Sequence, residues 1–218
     1  MTRYTTAQTT DWVAGNLREN NLIFQVDVLA DQVLRIVRSK YAPFVAGIIS
    51  ETRVETNAIG PLIKSNLDVE IIANVPSESI WTGDALRLAQ ENNIATGAFG
   101  DLYRVLDLEN VRTFQSKETA FIERGLRQHD RITRFELICD RLYRISRMGL
   151  PDLIVAMLNH YESTADHLRT ARDRYGNFSV AVNTNPNGST TSSAAEAAQT
   201  MGIEILNWRS FFGHLNKK

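Results

Sequence analysis

The sequence is short of most features that advertise a function. It holds one cysteine, Cys139, set among apolar residues and read as a small buried side chain rather than a nucleophile. Such usage fits a reducing cytoplasm. There is no charge excess: 24 basic against 25 acidic residues give a net charge of −1, so no global field favours nucleic acid or a membrane surface, and any such preference must be local. No apolar run exceeds seven residues, far short of a membrane span, and the polar stretch from Met1 to Asn21 lacks the apolar centre of a secretion signal. The phosphate-binding patterns GxxxxGK and GxGxxG are absent, as are HExxH and CxxC.

What is present is enough apolar residue, 43% of 218, to bury one sizeable core or two small ones. After a polar tail over 1–21, Leu22 to Lys40 carries Phe24, Val28, Leu29, Val33, Leu34 and Val37 at three- and four-residue spacing, which predicts an amphipathic helix. Phe44 to Ile49 reads as a strand covered on both faces. A short helix to Lys64, a strand at Val69 to Ala73, a helix around Ala85 to Ala89, a strand from Ile94 and a helical turn at Leu102 to Leu106 follow. The order then recurs: strand Leu153 to Leu158, helix Ala165 to Arg174, strand Phe178 to Val182, helix Ala194 to Met201, strand Ile203 to Leu206, helix Ser210 to Leu215. Strands alternating with helices imply parallel pairing.

Residues 44–106 laid over 153–215, an offset of 109, match at Asn74 and Asn183, Thr82 and Thr191, Ala85 and Ala194, Ala89 and Ala198, Gln90 and Gln199, Ile94 and Ile203, and Leu106 and Leu215. The expectation is an α/β protein of two tandem three-stranded, largely parallel halves, 22–110 and 151–218. A connecting segment, 111–150, reads as a long basic helix. From Glu118 to Met148 it carries seven arginines, of which Arg124, Arg127, Arg131, Arg134 and Arg141 share an arc of roughly 100° on an unbroken helix. Such a row could hold phosphates of DNA or RNA. Glu123, Asp130 and Asp140, each four residues before an arginine, equally allow a salt-bridged face.

Ligands of parallel sheets collect beyond the carboxyl ends of strands. Asn74 stands there in the first half; Asn183, Asn185 and Thr191 stand there in the second. These residues can present backbone N–H groups to a nucleotide or small anion, and they are also what a turn and helix cap require. His160, Glu162 and His167 could serve proton transfer or a metal, or sit in a polar loop. Trp12, Trp81, Phe211 and Phe212 are either interface anchors or core.

The order strand, Asn/Thr loop, Thr, helix with two alanines four apart, strand opening on Ile and closing helix occurs over Ile71–Leu106 and Val180–Leu215. It resembles the C-terminal half of Mrr-like, restriction-endonuclease-like proteins. That resemblance implies a fold seen in DNA-cleaving and antiviral defence proteins. Their metal site, for Mg2+ or Mn2+, uses an Asp followed by Glu or Gln, one residue and Lys. Here Asp152 could supply the first, Glu162-Ser163-Thr164 lacks the lysine, and Glu51-Thr52-Arg53 keeps the spacing with arginine. The candidate catalytic set is therefore Glu51, Arg53, Asp152, His160 and Glu162. The leading expectation is a cytoplasmic, nucleic-acid-associated protein of this type, catalytic or not. A pseudo-symmetric nucleotide or anion sensor is the second, and a structural or regulatory subunit of an oligomer or protein complex the third.

Overall fold

A computed structural model describes residues 6–217, leaving the start of the expected tail outside it. It divides into two units, Met1–Lys117 and Glu118–Lys218. The rest of the tail is not tail: Thr6–Arg18 form helix α1, with Val13, Ala14 and Leu17 wholly buried.

In the first unit α1 is followed by β1 (Ile23–Ala30), β2 (Val33–Arg38), β3 (Phe44–Ile49), β4 (Arg53–Val54), α2 (Thr56–Lys64), β5 (Ile71–Asn74), β6 (Ile80–Trp81), α3 (Gly83–Glu91), β7 (Ala95–Ala98) and α4 (Asp101–Arg104). The main sheet has the order β1-β2-β3-β5-β7. Its first two pairings are antiparallel and its last two parallel. One face packs against α1 and the turns after α4, through Leu17, Leu34, Ile36, Phe44, Ile48 and Leu102. The other is covered by α2 and α3, through Ile59, Leu62, Ala85 and Ala89.

The second unit holds α5 (Lys117–Arg127), β8 (Ile132–Cys139), β9 (Leu142–Arg147), β10 (Leu150–Leu158), β11 (Glu162–Ser163), α6 (Ala165–Tyr175), β12 (Val180–Asn183), β13 (Ser189–Thr190), α7 (Ser192–Thr200), β14 (Glu204–Asn207) and α8 (Trp208–His214). Its sheet order is β14-β12-β10-β9-β8, again two antiparallel and two parallel pairings. Tyr143, Ile145, Val155, Val180 and Val182 form one buried face with Ile122 and Leu126 of α5 and Phe211 of α8.

The protein is thus mixed α/β, and three further sequence expectations need correction. The sheets are mixed rather than largely parallel, and five-stranded rather than three-stranded, because each has an antiparallel hairpin on its edge. Leu22 to Lys40 is that hairpin in the first unit, not a helix. The long basic helix over 111–150 does not form either: α5 ends at Arg127, and 132–147 is the second hairpin. The physical reason is the apolar period. Phe135 and Leu137, then Tyr143 and Ile145, alternate on one face of two strands, with Phe135 opposite Ile145 and Leu137 opposite Tyr143. Between them Arg141 takes a left-handed φ of 68°, which ends any helix.

Each sheet is locked by a buried arginine. Arg38, 5% exposed, donates to the carbonyls of Ala42 at 2.9 Å and of Val105 and Leu108 at 2.7 Å. Arg147, 6% exposed, donates to those of Pro151 at 2.8 Å and Lys217 at 2.8 Å. Both guanidinium pKa values are lowered, chiefly by burial. Their role is to satisfy carbonyls that the end of a helix leaves open.

Candidate functional site

The carboxyl ends of β3, β5, β10 and β12 are where sequence reasoning placed ligands, and both Asn residues stand there. Asn74 is fully buried; its Oδ1 accepts from the Glu51 N–H at 2.9 Å and its Nδ2 donates to the Glu51 carbonyl at 2.8 Å. Asn183 repeats this on His160, at 3.3 and 2.9 Å. It also donates to the Ser163 hydroxyl at 3.1 Å and accepts from the Asn185 N–H at 3.1 Å. Asn185 in turn accepts from the Asn187 N–H at 3.0 Å. A Cβ on Gly188 would overlap Asn183 Nδ2, so only glycine lets the loop close over that amide. Thr191 caps α7 through the Ala194 N–H at 3.1 Å and donates to the Ser163 carbonyl at 3.2 Å. The polar atoms proposed for an anion are spent on holding the loops.

Within neither unit do the proposed catalytic residues converge on a metal site. Glu51 and Arg53 belong to the first unit, where Arg53 lies 3.5 Å from Glu55 and both side chains are more than half exposed. Asp152 sits near the start of β10 and Glu162 beyond its end. At about 3.3 Å per residue, the strand between them spans roughly 20 Å, too far to share an ion. Among the described residues no three His, Cys, Asp or Glu side chains are grouped to hold a metal.

The arginine row is dispersed by the hairpin. Arg124 and Arg127 are on α5, Arg131 in the turn after it, Arg134 on β8, Arg141 in the next turn, Arg144 and Arg147 on β9. Arg127 pairs with Glu123 at 2.6 Å, and Arg134 and Arg144 share Glu136 at 2.9 and 2.8 Å. The same cross-strand arrangement occurs in the first unit, where Gln25 and Arg35 share Asp27 at 2.7 and 3.4 Å. Arg124 and Arg131 are exposed and make no ion pair among the described residues.

What the fold does bring together at the carboxyl ends of β10 and β12 is a set that sequence reasoning found only in part. Arg141 forms two hydrogen bonds to Glu118, 2.9 and 2.7 Å, and Glu118 accepts from the Thr184 hydroxyl at 3.3 Å. The rings of His160 and His167 stack 3.8 Å apart and 2° from parallel. His167 Nδ1 accepts from the Thr164 N–H, while the His167 N–H donates to Thr164 Oγ1, both at 3.3 Å, a capping box that requires Nδ1 without a proton. The His160 pKa is lowered, first by burial, then by His167 and Arg141, with Glu118 opposing. Glu118 stands in the first turn of a helix and Arg141 in a hairpin turn well down the chain, a pairing with no signal in sequence spacing. The cluster offers two stacked imidazoles beside a carboxylate held by Arg141, a polar patch for hydrogen bonding.

A pocket of about 340 Å3 opens at the other end of the first sheet, among Leu62, Asn66, Asp68, Asn92 and Arg112. Arg112 is already bonded there to the Val69 and Asn93 carbonyls and to Asp68, so it ties loops together. In the second unit Arg172 makes the equivalent tie to the carbonyls of Phe178 and Met201. Among the described residues no helix is long and apolar enough to cross a membrane. Comparison with protein-family models, with curated proteins and with solved structures found no match.

Proposed function

We propose that the protein is an internally duplicated, restriction-endonuclease-like protein of the cytoplasm. It associates with nucleic acid without cutting it, as one component of a larger assembly such as a defence complex. The observation that carries this is the pair of tails, Ile71–Leu106 and Val180–Leu215, whose order of strand, Asn/Thr loop, Thr, helix, strand and closing helix resembles that of Mrr-like proteins. Duplication is supported beyond those tails. β1, β2, α2, β5, α3 and β7 start at 23, 33, 56, 71, 83 and 95, and β8, β9, α6, β12, α7 and β14 start at 132, 142, 165, 180, 192 and 204, the same offset throughout. Arg38 and Arg147, with matching carbonyl partners, obey that offset too.

Lack of cleavage is supported by where Asp152 and Glu162 stand, and by the apolar filling of β3 and of most of β10. The test is binding of labelled single- and double-stranded DNA and RNA at two salt concentrations, with and without Mg2+ or Mn2+. Salt-sensitive binding with intact oligonucleotide is expected. Cleavage abolished by Asp152→Ala or Glu51→Ala would overturn the non-cleaving reading, and no binding to any probe would overturn the rest.

One observation favours the structural-subunit reading instead. Leu22, Phe24, Val28 and Leu29, four of the seven large apolar or aromatic side chains exposed among the described residues, lie on or beside the edge strand β1. Concentration-dependent self-association lost in Phe24→Lys would favour it.

A further inference from the structure

Helices α5 and α8 pack against each other along a line of rings. Phe121 meets Trp208 with centroids 4.9 Å apart, Trp208 meets Phe212 at 4.9 Å, and Phe212 stacks on His129 at 5.8 Å. Gly125 is what permits this approach, since a Cβ there would stand 2.6 Å from the Trp208 ring. All four rings are half-buried, an aromatic seam whose solvent side we term the groove between the two helices.

Its rims follow from helix geometry. At 100° per residue, Arg124 lies one step from Gly125 on the side away from the buried Leu126, and Gln128 is one turn on. Arg209 is one step from Trp208 on the side away from the buried Phe211. Arg131 sits at the far end, its N–H donating to His129 Nδ1 at 3.3 Å. Arg124, Arg131 and Arg209 are exposed, and none has an ion-pair partner among the described residues.

The first unit supplies an internal comparison. Its groove has the same floor at the equivalent positions: Trp12 meets Phe99 at 5.0 Å and Phe99 meets Tyr103 at 5.5 Å. Its rims differ, with Gly15, Glu19 and Gly100 where the second unit has Arg124, Gln128 and Arg209. Glu19 acts on Tyr103, whose pKa is raised, first by burial and then by that carboxylate. The floor is shared scaffold; the cationic rim belongs to the second unit alone.

We infer that the α5–α8 groove binds single-stranded nucleic acid, its arginine rims holding phosphates and the half-buried rings of Trp208, Phe212 and His129 meeting bases. Unpaired arginines on both rims complement a polyanion, and aromatic side chains give bases a sequence-tolerant contact. Axes of packed helices lie about 8–10 Å apart, so the groove between them admits one extended strand and not the two backbones of a duplex. This inference rests on the nucleic-acid reading above and assigns it a place and a strandedness.

The test uses the full chain, a labelled single-stranded oligonucleotide as DNA and as RNA, and the matching duplexes. Arg124→Ala with Arg209→Ala should weaken single-strand binding about tenfold and reduce the salt slope by about 1.4, since each phosphate contact on a single strand contributes roughly 0.7. Arg169→Ala, an exposed arginine on α6, should change neither. With Trp12→Phe and Trp81→Phe leaving Trp208 as sole reporter, its fluorescence should be quenched on binding. If the parent binds but the double variant binds equally well, or if duplex competes as well as single strand, the groove assignment falls while the broader reading stands. If the double variant instead changes the oligomeric mass, the groove is a self-association surface and the inference is overturned. If no oligonucleotide binds the parent, both fall.

Discussion

Replacing Asn183 by leucine, of similar size but without polar atoms, should destabilise the second unit by roughly 2–4 kcal/mol. The figure comes from what the amide holds. The His160 N–H and carbonyl, the Asn185 N–H and the Ser163 hydroxyl all lose a partner at once, at a site where Asn183 is 3% exposed and Ser163 1%. A buried group left unsatisfied costs about 1–3 kcal/mol, but water can reach the His160 end and recover part of that. Asn74→Leu breaks two bonds, both to Glu51, and should cost less. Asn183→Asp keeps the two accepting bonds and loses the two donating ones, so it should fall between. Urea unfolding followed by Trp208 fluorescence for the second unit, and by Trp12 and Trp81 for the first, measures each; an unchanged m-value shows that only stability moved. A loss under about 0.5 kcal/mol for Asn183→Leu, the scale of an ordinary surface substitution, would refute the clamp and return the amide to the possible ligand contacts.

Gly125→Ala should destabilise by about 1–3 kcal/mol through overpacking against Trp208, although alanine favours a helix; a gain in urea midpoint would mean that the ring moves freely. Arg38→Met should cost more than Arg147→Met, about 3–5 kcal/mol against somewhat less, because Arg38 reaches the carbonyls of Ala42, Val105, Leu106, Leu108 and Glu109 while Arg147 reaches three. Equal losses by chemical denaturation would contradict that ranking. The folded-state pKa of His160 is depressed below 6.5, so its contribution to stability is complete above pH 6.5 and lost as pH falls through that value toward the folded pKa. His160→Gln should flatten the melting temperature over that range, and an unchanged profile would count against the histidine. Phe24→Lys should leave unfolding unchanged within about 0.5 kcal/mol, since the ring is 73% exposed; a larger loss by the same assay would place it in the core.

Much of each unit's second half was legible from sequence, as were the strands Phe44–Ile49 and Leu153–Leu158, while the helix and hairpin that open each unit were misread. β5 and β7, and likewise β12 and β14, are strands on either side of a helix capped by Thr82 or Thr191, and their short apolar runs leave no room for a helical period. Leu22–Lys40 and Glu118–Met148 failed for one reason. Apolar and charged residues there also recur at three- and four-residue spacing, so a helical count succeeds locally, while only pairing across a turn reveals the two-residue period. Laying 22–43 over 131–152 matches Ile23 with Ile132, Asp31 with Asp140, Arg35 with Arg144, Ile36 with Ile145, and Arg38 with Arg147. Those matches are denser than the ones between 44–106 and 153–215, so the hairpins are where the two units are most alike in sequence. The Glu118–Arg141 pair was illegible for another reason: it depends on where a hairpin turn lands, which spacing along the chain does not encode.

Equivalent positions in the two units separate what the scaffold needs from what it leaves free. Asn74 and Asn183, Thr82 and Thr191, Arg38 and Arg147, and the acid shared by cross-strand partners, Asp27 and Glu136, keep both residue type and bonding, and each is fully engaged within its own unit. A group whose valences are filled by the fold has nothing left for a ligand. Around the His160–His167 cluster and the α5–α8 seam the differing positions include Thr9 and Glu118, Gln32 and Arg141, Glu51 and His160, Ala58 and His167, Val75 and Thr184, Gly15 and Arg124, and Gly100 and Arg209. In every one of these pairs the second unit carries a charged, imidazole or hydroxyl side chain. In five of them the first unit's residue is uncharged and smaller than its counterpart. Ligand chemistry on this scaffold is therefore to be sought in the second unit, at the His160–His167 cluster and along the α5–α8 groove. The first unit serves as the built-in comparison against which substitutions in the second should be measured.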